Sequence, residues 1–171
     1  MGTMKHKEYK VQEISFSLIV TSDSIVKGIS EDKITPLVRN SLEKAGFQLL
    51  TSSIIGNDKE QIKKLVKTFL QKNDVVIVTG GTGLSSKDLS IKALKELGFD
   101  EIKGFGELFR SLSFSQVGAY AWLSNASAFI ANEKGMRKIV FVLPGSPEAV
   151  ELALNKLILP VIAHALWELR R

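Results

Sequence analysis

Three glycines fall within four residues in the stretch Thr79-Gly80-Gly81-Thr82-Gly83-Leu84-Ser85-Ser86-Lys87-Asp88, which directly follows a run of β-branched residues. Without Cβ atoms in the way, the backbone N–H groups of such a loop can turn toward one point. The helix predicted to follow adds its positive end, so the stretch is suited to holding an anion. A tight strand-to-helix turn that needs glycine only for its geometry is the simpler alternative. The spacing departs from a Walker A loop, and the third glycine of a Rossmann fingerprint is replaced by Ser86. A second loop, Leu143-Pro144-Gly145-Ser146-Pro147-Glu148, repeats the logic: Ser146 can cap a helix and Pro147 fits its first turn.

Carboxylates near such loops could hold a magnesium ion against phosphate oxygens, since magnesium favours one or two carboxylates plus substrate ligands. Asp23, Asp58 and Asp88 fall at the carboxyl ends of predicted strands or at the helix starts just after them. Helix capping is the competing role for Asp88, which stands where an N-cap is expected, and placement at a positive helix end is the competing role for Asp58. Other chemistries are narrowed by composition. The chain has no cysteine, which excludes thiolate metal sites, disulfides and thiol nucleophiles, and only two histidines, His6 and His164, neither in a metal-ligand pattern. No serine has a histidine neighbour that would suggest a hydrolase triad. Lys63, Lys64, Lys67 and Lys72 read as the solvated face of a helix with no interleaved aromatics. The net charge of +5 suits phosphate-bearing partners but falls short of a nucleic-acid signature, so no nucleic-acid partner is expected.

The elements that must position these loops follow from periodicity. Apolar runs at 14–20, 48–55 and 74–79 predict strands, the first delivering Thr21-Ser22-Asp23-Ser24. Between them, three-and-four spacing predicts helices from Asp32 to Gly46, from Asn57 or Asp58 to about residue 72, and after Asp88 to Gly98. Residues 107–123 keep no clean period and are read as short helices. Residues 127–132 and 138–143 are expected to pair as a hairpin across a turn containing Gly135. A long apolar stripe from Val150 to Leu169 is interrupted by Pro160, which predicts a kink or two helices. The expected class is α/β: a three-layer fold around a mostly parallel sheet with one antiparallel strand. Residues 1–12 are expected to be a flexible tail and 13–171 one domain. No apolar run approaches the roughly 20 residues of a membrane span and no signal peptide is evident, so a cytoplasmic protein without a membrane partner is expected. Ligands of such sheets sit beyond the carboxyl ends of the strands, where the loops at 21–24, 79–86 and 144–147 should converge.

Together the loops resemble the MoaB/Mog family of molybdopterin-binding proteins, which includes the G domain of gephyrin. The resemblance runs from about Phe16 to Ala165. It rests on Thr79-Gly80-Gly81-Thr82-Gly83 with Asp88, on Gly104-Phe105-Gly106-Glu107, on Leu143-Pro144-Gly145-Ser146-Pro147, and on Ser22-Asp23-Ser24 with Gly28 and Asp32. The run GFGELFRSLSF is more similar to the MoaB branch. The resemblance implies a molybdopterin-binding fold and a homo-oligomer, with a hexamer favoured over a trimer. It implies adenylylation of molybdopterin by ATP with Mg2+, in which Asp88, Asp58 and Asn57 are the catalytic positions and Asp88 and Asp58 hold the metal. It also implies substrate binding by Ser22, Asp23, Ser24, Thr79, Gly80, Gly81, Thr82, Gly83, Ser85, Gly104, Gly106, Glu107, Pro144, Gly145 and Ser146. Two positions depart from the family's pattern: Asn57 stands where active members have a first acidic residue, and Asn125 where they have arginine, with Lys87 and Arg110 as substitute cations. A molybdopterin carrier with the same fold and little or no catalysis is the alternative implied.

Overall fold

The computed structural model describes residues 14–171, so the expected tail at 1–12 lies outside the described residues. Six strands form one sheet: β1 (Ser15–Thr21), β2 (Gln48–Ile55), β3 (Val75–Thr79), β4 (Asp100–Glu101), β5 (Ser127–Glu133) and β6 (Met136–Leu143), in the order β2-β1-β3-β6-β5-β4. The pairs β1–β2, β1–β3 and β3–β6 are parallel, while β5 runs against both β6 and β4, so one strand opposes the rest as expected. The β5–β6 hairpin closes through Lys134 and Gly135, whose φ values of 52° and 83° are the left-handed pair that a two-residue hairpin turn requires.

The helices are α1 (Asp23–Val26), α2 (Ile34–Lys44), α3 (Lys59–Leu70), α4 (Ser90–Glu96), α5 (Lys103–Val117), α6 (Pro147–Ala153) and α7 (Ile162–Arg170). All five residues of β3 are buried, and they alternate between two cores. Val75 and Ile77 pack with Phe16, Leu18, Ile139 and Phe141 beneath α2, α5, α6 and α7. Val76 and Val78 pack with Ile19, Val140 and Val142 beneath α3 and α4. Burial on both faces explains why these strands read as continuous apolar runs without alternation.

Two expectations are corrected, and one short strand is added. Residues 103–117 form one helix followed by a 3-10 segment at Gly118–Leu123, in place of short helices over 107–123. Its period is hidden because Gly104 and Gly106 lie in its first turns while Leu108, Phe114 and Val117 are exposed. The two-residue strand β4 was not anticipated; it is too short to show a pattern of its own. Asp88 does not cap α4, which starts at Ser90 with Leu89 at the cap position and no side-chain cap bond. The break near Pro160 is as expected: a π-helical segment, Leu154–Ile158, extends α6, and the axis then bends by 58° into α7. Among the described residues no single helix is long and apolar enough to cross a membrane.

The amino-terminal edge of the sheet is held by Asp74. Its carboxylate accepts from the Ser15 N–H at 2.9 Å and the Ser15 hydroxyl at 2.8 Å, and pairs with Arg170 Nη2 of α7 at 2.6 Å. Burial alone would raise the Asp74 pKa, but the Ser15 bonds and the Arg170 guanidinium outweigh it and hold the carboxyl below its ordinary value. A group with a depressed folded pKa stabilises above its unfolded value and loses that contribution as pH falls. Asp74→Ala should therefore lower stability by about 1–3 kcal/mol at neutral pH. In thermal denaturation the gap from wild type should be full above about pH 4 and close below it.

Candidate functional site

Parallel β1, β3 and β6 end side by side, so the loops that leave them meet at one edge. Gly80 is the junction. Its N–H donates to the Leu143 carbonyl at 2.9 Å, and a Cβ placed on Gly145 would lie 3.4 Å from the Gly80 α-carbon. Gly80 itself has φ +87°, and a Cβ there would run into the Thr21 carbonyl and lie 2.6 Å from the Thr21 hydroxyl. The Thr21 hydroxyl in turn donates to the Thr79 carbonyl at 2.8 Å. The loops after β1, β3 and β6 thus share one floor in which Gly80 is required by space as well as by torsion, with Gly145 in van der Waals contact beside it.

The rest of the glycine loop is fixed from below and from the side. Gly81, at φ +67°, lies over Ser90, whose N–H donates to the Gly81 carbonyl at 3.2 Å. The Asn125 N–H donates to the Thr82 carbonyl at 2.8 Å. Arg110 of α5 donates from Nη1 to the carbonyls of Ser124 and Ala126 at 3.3 and 3.1 Å, which secures the segment carrying Asn125. Arg110 is therefore a brace, with Nη1 of its guanidinium engaged with backbone. Two buried hydroxyls at the loop, Thr79 Oγ1 and Ser90 Oγ, have no hydrogen-bond partner among the described residues.

Asp88 folds back into the loop. Its Oδ2 accepts the Ser85 N–H at 2.9 Å, and a Cβ on Gly83 would come within 2.6 Å of that oxygen. Asp58 takes the capping role on α3, with Oδ1 accepting from the Gln61 N–H at 2.8 Å. Asp23 is the carboxylate that the neighbouring strand end holds. Its Oδ1 accepts the Asn57 backbone N–H at 2.8 Å and its Oδ2 lies 3.4 Å from Asn57 Nδ2. Those two bonds, and then the charges of Lys27 and Lys87, hold the Asp23 pKa below its ordinary value. Ser22 caps α1 by accepting from the Ile25 N–H, and its hydroxyl pairs with that of Ser24 at 3.0 Å. Ser146 caps α6 by accepting from the Ala149 N–H at 3.3 Å, with Pro147 in the first turn.

The positions drawn from the middle of the chain fall elsewhere. Gly104 and Glu107 are exposed on α5, outside the hydrogen bonds that join the loops, and Gly106 is buried where a Cβ would meet the Ala126 carbonyl at 2.6 Å. Gly106 thus serves the approach of α5 to the segment that Arg110 braces. Neither Arg110 nor the Asp23–Asn57 bond leaves a local signal in sequence, because the partners are 14 to 34 residues apart.

Among the described residues no three acidic or histidine side chains come together to hold a metal ion. The donors are all hard oxygens, and Asp88 keeps Oδ1 without a partner among those residues. This set fits magnesium that arrives with a phosphate substrate and completes its shell with phosphate oxygens and water, not an ion caged by protein alone.

The fold and this edge define a three-layer α/β protein whose glycine-rich loops meet at the carboxyl ends of parallel strands. Residues 17–164 match the family described as "Probable molybdopterin binding domain", and the chain belongs to that family. It is 39% identical to Molybdenum cofactor biosynthesis protein B of Bacillus cereus, covering 100% of this chain and 99% of that protein. It is 36% identical to a protein of Pyrococcus furiosus named Molybdopterin adenylyltransferase, over 91% of each chain. The solved structure of the tungsten cofactor synthesizing protein MoaB from Pyrococcus furiosus superposes with a TM-score of 0.85 at 34% identity, covering 94% of this chain and 99% of that one.

The two glycines at the junction should respond unequally to a methyl group. Gly80→Ala, strained in torsion and blocked by backbone, should cost about 2–4 kcal/mol, whereas Gly145→Ala, which makes only van der Waals contact, should cost about 1 kcal/mol or less. Urea denaturation of the two variants measures the difference.

Proposed function

We propose that this chain acts in molybdenum cofactor biosynthesis by binding molybdopterin and transferring an adenylyl group to it from ATP. The observation that carries the reading is the shared floor of Gly80, Leu143 and Gly145, which brings two phosphate-suited loops together with Asp88 held against Gly83. The adenylyltransferase name of the Pyrococcus furiosus relative supports the same chemistry.

In this reading the terminal phosphate oxygen of molybdopterin attacks the α-phosphorus of ATP. A new P–O bond forms, the bond to the bridging oxygen breaks, and pyrophosphate leaves. No protein nucleophile is needed; the chain's contribution is alignment and charge stabilisation. Backbone N–H groups of Gly81, Thr82, Gly83 and Leu84 and of Gly145-Ser146 hold phosphate oxygens, the Gly80 and Ser85 N–H groups being used within the loops. Asp88, through its open Oδ1, would hold a magnesium ion entering with ATP, which would supply charge neutralisation, and the fixed loops limit the reorganisation needed as charge moves to the leaving group.

Asn57 and Asn125, neutral where charges were expected, favour a second reading: a molybdopterin carrier with little turnover. Self-association suits either reading. Phe114, Val117, Tyr120 and Trp122 on α5 and the segment after it are 50% or more exposed, an apolar face available to further copies of the chain.

Purified protein given molybdopterin, ATP and magnesium should yield adenylylated molybdopterin. Asp88→Ala should slow its formation by about 100-fold or more while the protein still melts cooperatively. Molybdopterin binding without any product in the wild type would establish the carrier reading instead.

A further inference from the structure

The Asp23–Asn57 pair is built more closely than a substrate-binding loop needs. Asp23 stands exposed at the carboxyl end of β1, yet both its oxygens are fixed: one by the Asn57 backbone N–H at 2.8 Å, the other facing the Asn57 amide at 3.4 Å. Gly56 leaves room for this arrangement, since a Cβ there would come within 2.9 Å of Asp23 Oδ1. Nearby hydroxyls do not compete for the carboxylate, because Ser22, Ser24 and Ser30 are joined in their own chain of bonds at 3.0 and 2.6 Å. A carboxylate has about four lone-pair sites, so Asp23 keeps an acceptor on each oxygen after Asn57 is served.

Two parallel acceptors in a fixed plane recognise two parallel donors, as carboxylates recognise guanidinium groups. This pattern separates the two heterocycles of the proposed reaction. Adenine presents its N6 donor beside an acceptor on either edge, which a carboxylate cannot match. A pterin presents N3–H beside its 2-amino group, two donors side by side. Phosphate groups are repelled by Asp23 and belong to the glycine loops. We propose that Asp23 reads the N3–H and 2-amino edge of the pterin, and that Asn57 is the residue that positions it. This rests on the molybdopterin reading above and adds to it which end of the crevice takes the pterin and why. The Asn57 side chain adds a second donor that an acidic residue could not supply, beside the shorter backbone N–H bond that any residue there would make.

The test uses a 6-(phosphooxymethyl)pterin and its 2-oxo counterpart, a lumazine, with binding followed by pteridine fluorescence. The lumazine keeps the phosphate and ring shape but places an acceptor where the pterin has its amino group. Wild type should bind the pterin about tenfold or more tightly than the lumazine, because the mismatch leaves two acceptors facing each other. Asp23→Asn, which turns one acceptor into a donor, should bring that ratio close to one and leave ATP affinity unchanged. Asn57→Ala should lower the ratio by about threefold. If Asp23→Asn weakens both pteridines equally, or weakens ATP, the residue serves the fold or the nucleotide and the inference is overturned. If wild type binds neither pteridine, the molybdopterin reading fails as well.

Discussion

Gly80 donates its amide hydrogen to the Leu143 carbonyl at 2.9 Å while its α-carbon lies against Gly145 and Thr21, and the functional edge depends on that junction. Three parallel strands deliver three loops to the same place, but parallel pairing alone would leave them at the separation of their strands. Gly80, having no side chain, lets the loop after β3 settle onto Thr21 on one side, with Gly145 in contact on the other. The approach then fixes where N–H groups point, and the neighbouring bonds from Ser90 and Asn125 hold the Gly81 and Thr82 carbonyls in place. The phosphate-binding role proposed for this backbone surface needs such rigidity, because its donors cannot turn to follow a ligand as side chains can.

The two edges of the sheet divide the work. At the amino-terminal edge Asp74 joins Ser15 of β1 to Arg170 of α7, with both carboxylate oxygens engaged. At the carboxyl edge polar groups are held but not exhausted: Asp88 keeps an open oxygen, and Thr79 Oγ1 and Ser90 Oγ are buried without partners. Buried polar atoms of that kind are costly. Between the edges, the two apolar cores on either face of β3 hold the strands in register, so that a loop at one end is aligned by packing along the whole sheet.

Much of this was legible from the residues. The buried strands, the helix at 34–44, the hairpin and the break near Pro160 each carry a local period or a turn residue. The loops were found because glycine clusters mark places where backbone must do what a side chain cannot. What escaped were features set by contacts distant in sequence. Asp88 has the spacing of an N-cap, but its carboxylate is claimed by Ser85, and the start of α4 moves to Ser90. Gly106, drawn in only by the family resemblance, is also a packing glycine that lets α5 lie on Ala126. Asn57 looked like a lost acid; its partner, Asp23, lies 34 residues away and gives the amide its purpose.

The central claim is that an adenylyl group passes to the pterin through phosphates held on these loops. The direct measurement gives the protein molybdopterin and magnesium with ATP labelled at either the α- or the γ-phosphate. The account predicts that the α-label moves into the pterin product while the γ-label leaves in pyrophosphate. Transfer of the γ-label to the pterin, or release of ADP or AMP without labelled pterin, would contradict it.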